Sequence, residues 1–181
     1  MKNLDPIQKT MNKQELKQAH LETGDVLHCW SDGIIGKLIR RFEKSQLNHT
    51  AIFIRINGLP YIIEAQARGI YPVPFDVWVE RYNYSYSISR YKHKRYSNRD
   101  ENVNKLLSKS GVPYDYFALL IHHPIHILTG IWVGRRGEDA QGRMFCSEFA
   151  AWYVGYKDFY KLSPQQFYNR IKLDINYRTF E

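Results

Sequence analysis

The dipeptide Asn57-Gly58 constrains this chain more than any other feature, because it separates two β-prone runs, Thr50-Ala51-Ile52-Phe53-Ile54 and Tyr61-Ile62-Ile63-Glu64-Ala65. Both central residues of a type I′ turn need positive φ, which asparagine and glycine tolerate, so the pair predicts an antiparallel hairpin. A two-residue turn also sets the register: Ala51 faces Glu64 and His49 faces Gln66. Side chains alternate across a strand, which places His49, Ala51, Phe53, Ile62, Glu64 and Gln66 on one face of the sheet. His49 and Glu64 are then diagonal neighbours about 7–8 Å apart at Cβ, a gap that an imidazole and a glutamate can close across a small residue such as Ala51. A carboxylate so placed would hold the imidazole in one tautomer and stabilise its protonated form.

The second feature is Met144-Phe145-Cys146-Ser147-Glu148-Phe149-Ala150-Ala151-Trp152-Tyr153, a cysteine at the start of a helical pattern. The unpaired N–H groups of a helix N-terminus carry partial positive charge and push a thiol there toward its thiolate. Free cysteine is more often a small buried hydrophobe. With a histidine and an acid on a neighbouring sheet face it would instead be a nucleophile with a general base and an orienter. Spacing alone does not say that Cys146 packs on that face.

Elsewhere the pattern predicts a short polar helix over residues 12–20, a strand over Val26-Leu27-His28-Cys29-Trp30 and a helix over Ile34 to Phe42, where apolar residues recur three and four apart. Pro72 and Pro74 indicate an edge or loop passage, and the alternation of Tyr82, Tyr84, Tyr86 and Ile88 a strand. A helix from Arg99 to Ser110 stops at Gly111, and another follows Pro164 and leads into a tail. Residues 1–20 read as a polar N-terminal extension and residues 21–181 as one domain, domains commonly running about 100–150 residues.

Lys and Arg number 26 against 18 Asp and Glu, a net charge of +8 that suits an anionic partner such as a membrane surface. Nucleic-acid binding is not indicated: only Lys92-His93-Lys94-Arg95 forms a tight basic run, with no zinc-finger spacing or phosphate loop beside it. The stretch Phe117 to Val133 is apolar but contains three histidines, Pro124 and Gly130, and falls short of the roughly 20 apolar residues a span requires; it reads as a buried or surface-docking helix with a break. His122 and His126 are four apart, yet Pro124 between them and the lack of an acidic partner argue against zinc. No metal or other cofactor is expected.

The two cysteines, Cys29 and Cys146, suit a reducing compartment rather than a disulfide framework. No signal peptide is visible in the first twenty residues, so a cytoplasmic location is expected, with the envelope left open. Cys29 and His28 are adjacent on a strand and point to opposite faces, so Cys29 reads as structural.

Taken in order, Gly24-Asp25-Val26-Leu27, Ile39-Arg40, Asn48-His49-Thr50-Ala51-Ile52, Ile63-Glu64-Ala65, Gly69-Ile70, Tyr114-Asp115-Tyr116 and Phe145-Cys146-Ser147-Glu148-Phe149 resemble the circularly permuted papain-like amidases of the NlpC/P60 superfamily. The resemblance covers roughly residues 22–156, with histidine, acid and cysteine in the permuted family's order. It implies an α+β fold in which an antiparallel sheet packs against the helix carrying the cysteine. It also implies Cys146 as nucleophile, His49 as general base and acid, Glu64 as orienter and Tyr114 near the site. Gln66 and Trp30 are further candidates for the substrate or oxyanion region, and Trp30, Trp78 and Tyr116 for a pocket wall.

The activity expected is a thiol hydrolase cleaving an amide, peptide or related acyl bond through an acyl-enzyme on Cys146. The alternatives are a lipid acyltransferase or deacylase with the same triad, and a non-catalytic papain-like binding module.

Overall fold

The computed structural model describes residues 11–30, 34–43, 47–81, 86–92 and 99–180. Six strands, β1 (Val26–Cys29), β2 (His49–Ile56), β3 (Leu59–Gln66), β4 (Gly69–Pro74), β5 (Tyr86–Tyr91) and β6 (Tyr177–Phe180), form one antiparallel sheet in the order β4-β3-β2-β1-β5-β6. The β2–β3 turn is the one the dipeptide predicts, with φ of 51° at Asn57 and 80° at Gly58. Its register pairs Ile52 with Ile63 and Phe53 with Ile62, which is the two-residue solution.

Alternation along this hairpin divides the core in two. Ile52, Ile54, Ile63 and Ala65 pack with Phe145 and Phe149 at α6 (Cys146–Val154) and with Phe167 and Ile171 of α7 (Pro164–Leu173). Ala51, Phe53 and Ile62 turn the other way, onto Phe75, Trp78 and Val79 of α3 (Phe75–Arg81). The same cluster takes in Leu16 of α1 (Lys13–Gln18), so the segment read as a polar extension is tied to the sheet from Met11 onward. Asn12 caps α1 through the N–H groups of Gln14 and Glu15, and complete burial of Leu16 contributes about 1.5–3 kcal/mol to docking it.

The expected helix over Ile34 to Phe42 is α2 (Ile34–Glu43), and that over Arg99 to Ser110 is α4 (Arg99–Leu107), with Gly111 at φ 85° just beyond it. β4 is an edge strand, which tolerates Pro72 and Pro74. Of the alternating series, Tyr86 and Ile88 lie in β5, while Tyr82 and Tyr84 fall outside the described residues.

Two elements differ from the sequence reading. α3 follows Pro74 immediately and had no expectation attached. The tail after α7 is strand β6, because Ile88 to Tyr91 of β5 supply an open edge to which Tyr177 to Phe180 pair. The apolar stretch after Phe117 is a wide π-helical turn, Ala118–His122, running into α5 (His123–Thr129). Proline lacks an N–H and its ring crowds the carbonyl one turn back, so the widened turn lies where Pro124 needs it. The chain breaks later, at Gly130 with φ 74°.

Candidate active site

His49 opens β2 and Glu64 lies near the end of β3, so the hairpin register sets their imidazole and carboxylate side by side. His49 Nε2 donates to Glu64 Oε2 at 2.5 Å. The acid is 1 % exposed and accepts two further hydrogen bonds, from Trp78 Nε1 to Oε2 at 2.8 Å and from the Gln66 amide to Oε1. Three donors around one buried carboxylate replace the water it has lost.

Cys146 comes from the other half of the core. It is the first residue of α6, which packs on β2 and β3, and its Sγ lies 4.0 Å from the carbonyl oxygen of Asn48, the residue before His49. The thiol thus reaches the histidine at the start of β2, where the strand begins, rather than across the sheet face that carries Ala51 and Phe53. With Nε2 engaged by Glu64, the hydrogen bond between His49 and Cys146 falls to Nδ1. Burial disfavours charge on this imidazole, but its hydrogen bonds to Cys146 and Glu64 outweigh that penalty and raise its pKa from the ordinary 6.5 to about 10.

Two residues around this group carried no such role in the sequence reading. Trp78, expected as a pocket wall, is fully buried and positions Glu64 instead. Glu148, 2 % exposed, accepts the Phe145 N–H at 3.1 Å and so caps α6; burial pushes its carboxyl well above the usual range. An acid three residues after a helix start is a capping signal legible in the sequence.

The remaining candidates are distributed as follows. Tyr114 is buried, its ring tilted against that of Tyr116 at 4.9 Å, and belongs to the core cluster of Cys146. Its segment is joined to the approach to the cysteine, since Met144 N–H donates to Pro113 O and Asp115 N–H to Met144 O. Gln66 is turned to Glu64, and Trp30 carries the Arg40 guanidinium over its ring at 4.6 Å. A cavity of about 370 Å³ opens beside the acid, lined by Glu64, Gln66, Arg68, Tyr71 and Arg81 among others. Cys29 is fully buried in the α3 cluster, and burial drives its thiol well above the ordinary range. His28 points to the opposite side, against the rings of Phe167 and Tyr168.

Comparison with known proteins agrees with this architecture. The model of a permuted papain-like amidase family, the YaeF/YiiX or C92 family, matches residues 20–119, a stretch that holds His49, Glu64 and Tyr114. Among solved structures the chain is similar to the metalloprotein YiiX from Escherichia coli O157:H7, at 16% identity and a TM-score of 0.54, over 88% of this chain and 96% of that one. No curated protein matches the chain. Among the described residues there is no group of three or more His, Cys, Asp or Glu that could hold a metal ion, and the rings of His122, His123 and His126 gather around Trp132 instead.

Proposed function

The chain belongs to the C92 family of permuted papain-like amidases, a family of cysteine peptidases and amidases, and from that premise we propose that it hydrolyses an amide bond through a thioester on Cys146. The observation that carries this reading is the single imidazole of His49, hydrogen-bonded on one side to Glu64 at 2.5 Å and on the other to Cys146. With its pKa raised to about 10, His49 already holds the thiol's proton on Nδ1, and Sγ attacks the substrate carbonyl carbon as the thiolate. The C–N bond then breaks, and the same nitrogen returns the proton to the leaving amine. Water, deprotonated by His49, attacks the thioester, releasing the acid and restoring the thiol.

Each carbonyl addition places negative charge on oxygen, and the start of α6 offers backbone N–H groups to it. Phe145 N–H is held by Glu148, and Cys146 N–H, on the nucleophile's own residue, is the donor assigned to this role. Glu64 keeps the imidazole in the tautomer with a proton on Nε2 and stabilises the imidazolium, while Trp78 and Gln66 position Glu64.

The test is alkylation of Cys146 by iodoacetamide in a Cys29→Ser background, read by peptide mass spectrometry beside hydrolysis of a panel of acyl amides. The reading expects Cys146 to react readily, and both alkylation and hydrolysis to collapse in His49→Ala. Equal alkylation with and without His49 would overturn it.

A further inference from the structure

Eight of the thirteen large apolar side chains that stand exposed among the described residues lie between Tyr116 and Val133. The other five are scattered over the molecule, so this is a patch rather than the ordinary apolar share of a surface. Most of it is one face of a continuous element, the π turn and α5: Phe117, Leu120, Ile121 and Leu128 recur at helical spacing, and the exposed Ile131 and Val133 follow just past Gly130. Phe117 is 63% exposed and Leu128 81%. The opposite face is anchored, with Ala118, Leu119 and His123 buried. His123 stands edge-on to Phe145 at 4.7 Å, and Phe145 immediately precedes Cys146.

The charge around the patch identifies what covers it. From Tyr116 to Gly137 the chain has no aspartate or glutamate, and its only full charges are Arg135 and Arg136, both exposed at the end of the apolar run. The whole chain carries +8. No described helix is long and apolar enough to cross a membrane. An apolar face too short to span, itself without acids and followed at its C-terminal end by two arginines before the exposed Glu138 and Asp139, on a cationic protein, has the composition of a segment lying in the plane of an anionic bilayer.

We propose that the face formed by Phe117, Leu120, Ile121, Leu128, Ile131 and Val133 docks onto an anionic lipid surface, with Arg135 and Arg136 meeting the headgroups. This rests on the reading of Cys146 only in its consequence: the bilayer then lies against the element that backs the nucleophile, and acyl substrates held in that bilayer are the class presented to it. The docking itself needs no catalysis.

Flotation of the full chain with vesicles of phosphatidylcholine, alone or mixed with phosphatidylglycerol, tests it. Binding is expected to the mixed vesicles and to weaken in high salt. It should fall at least about tenfold in Phe117→Glu/Leu128→Glu and less in Arg135→Gln/Arg136→Gln. Both apolar side chains face solvent, so the double variant should melt with the wild type, and Cys146→Ser should bind unchanged whether or not the hydrolase reading holds. Absence of binding, binding indifferent to Phe117→Glu/Leu128→Glu, or a self-associated species in sedimentation that this variant dissolves would each overturn the proposal.

Discussion

His28 and His49 stand on neighbouring strands, one residue apart in register and both buried, yet the protein drives them in opposite directions. His28 has Ser89 Oγ at 3.1 Å and two aromatic rings beside it, and burial lowers its pKa to about 3. His49 suffers the same desolvation and is raised to about 10. The difference is not depth but company: a buried carboxylate held by three donors on one side and a thiol on the other. A buried histidine is a structural residue unless the fold supplies a charge for it to answer.

The largest break in this contrast is removal of the imidazole itself. His49→Ala should lower kcat/KM on a cleaved amide by about 10²–10⁴-fold, the range for loss of a general acid–base, while His28→Phe should leave it unchanged. Next is Glu64→Gln, which keeps the shape and removes the charge. The His49 pKa should fall, and turnover should drop with it because the imidazole loses its fixed tautomer. Trp78→Phe takes one donor from the buried carboxylate and should cost about 1.5–3 kcal/mol in denaturant unfolding, the worth of a hydrogen bond to a charged group.

A gradual effect, spread over several pH units, is the tilt of stability with pH, and its sign differs for the two residues. An unfolded histidine titrates near 6.5, so between that value and about 10 the folded protein holds the extra proton on His49. Its stabilisation is fully present below about 6.5 and is lost as pH rises through about 10. For His28 the unfolded chain binds the proton more readily. Stability is complete above about 6.5 and is lost as pH falls toward about 3. Chemical unfolding across pH should therefore show Glu64→Gln flattening the alkaline limb and His28→Phe the acid limb; an exchange of the two limbs would contradict the assignment.

The half of the site that is legible in the sequence is the half built by local rules. Asn57-Gly58 fixes the turn, the turn fixes the register, and the register makes His49 and Glu64 neighbours. The approach of Cys146 to Asn48 joins residues 98 apart, and no period or turn signal reports such a distance. Trp78 is a pocket-wall candidate in the sequence, but its place beside Glu64 is not legible there, because α3 has seven residues, too few for a strong helical pattern, and follows a proline-bearing edge strand. β6 is four residues whose strand character comes from pairing with β5, some 90 residues earlier. The apolar stretch after Phe117 was legible as a broken helix, but which of its faces stays open depends on where Phe145 and Trp132 lie.

The central claim is that Glu64 and Cys146 make His49 a base while its neighbour His28 stays neutral, and NMR titration of the labelled imidazoles reads both at once. The account predicts that His49 keeps its second proton to about pH 10 and loses that behaviour in Glu64→Gln, with His28 neutral down to about pH 3 throughout. A His49 that titrates below the ordinary value alongside His28, or one indifferent to the loss of the Glu64 charge, would contradict it.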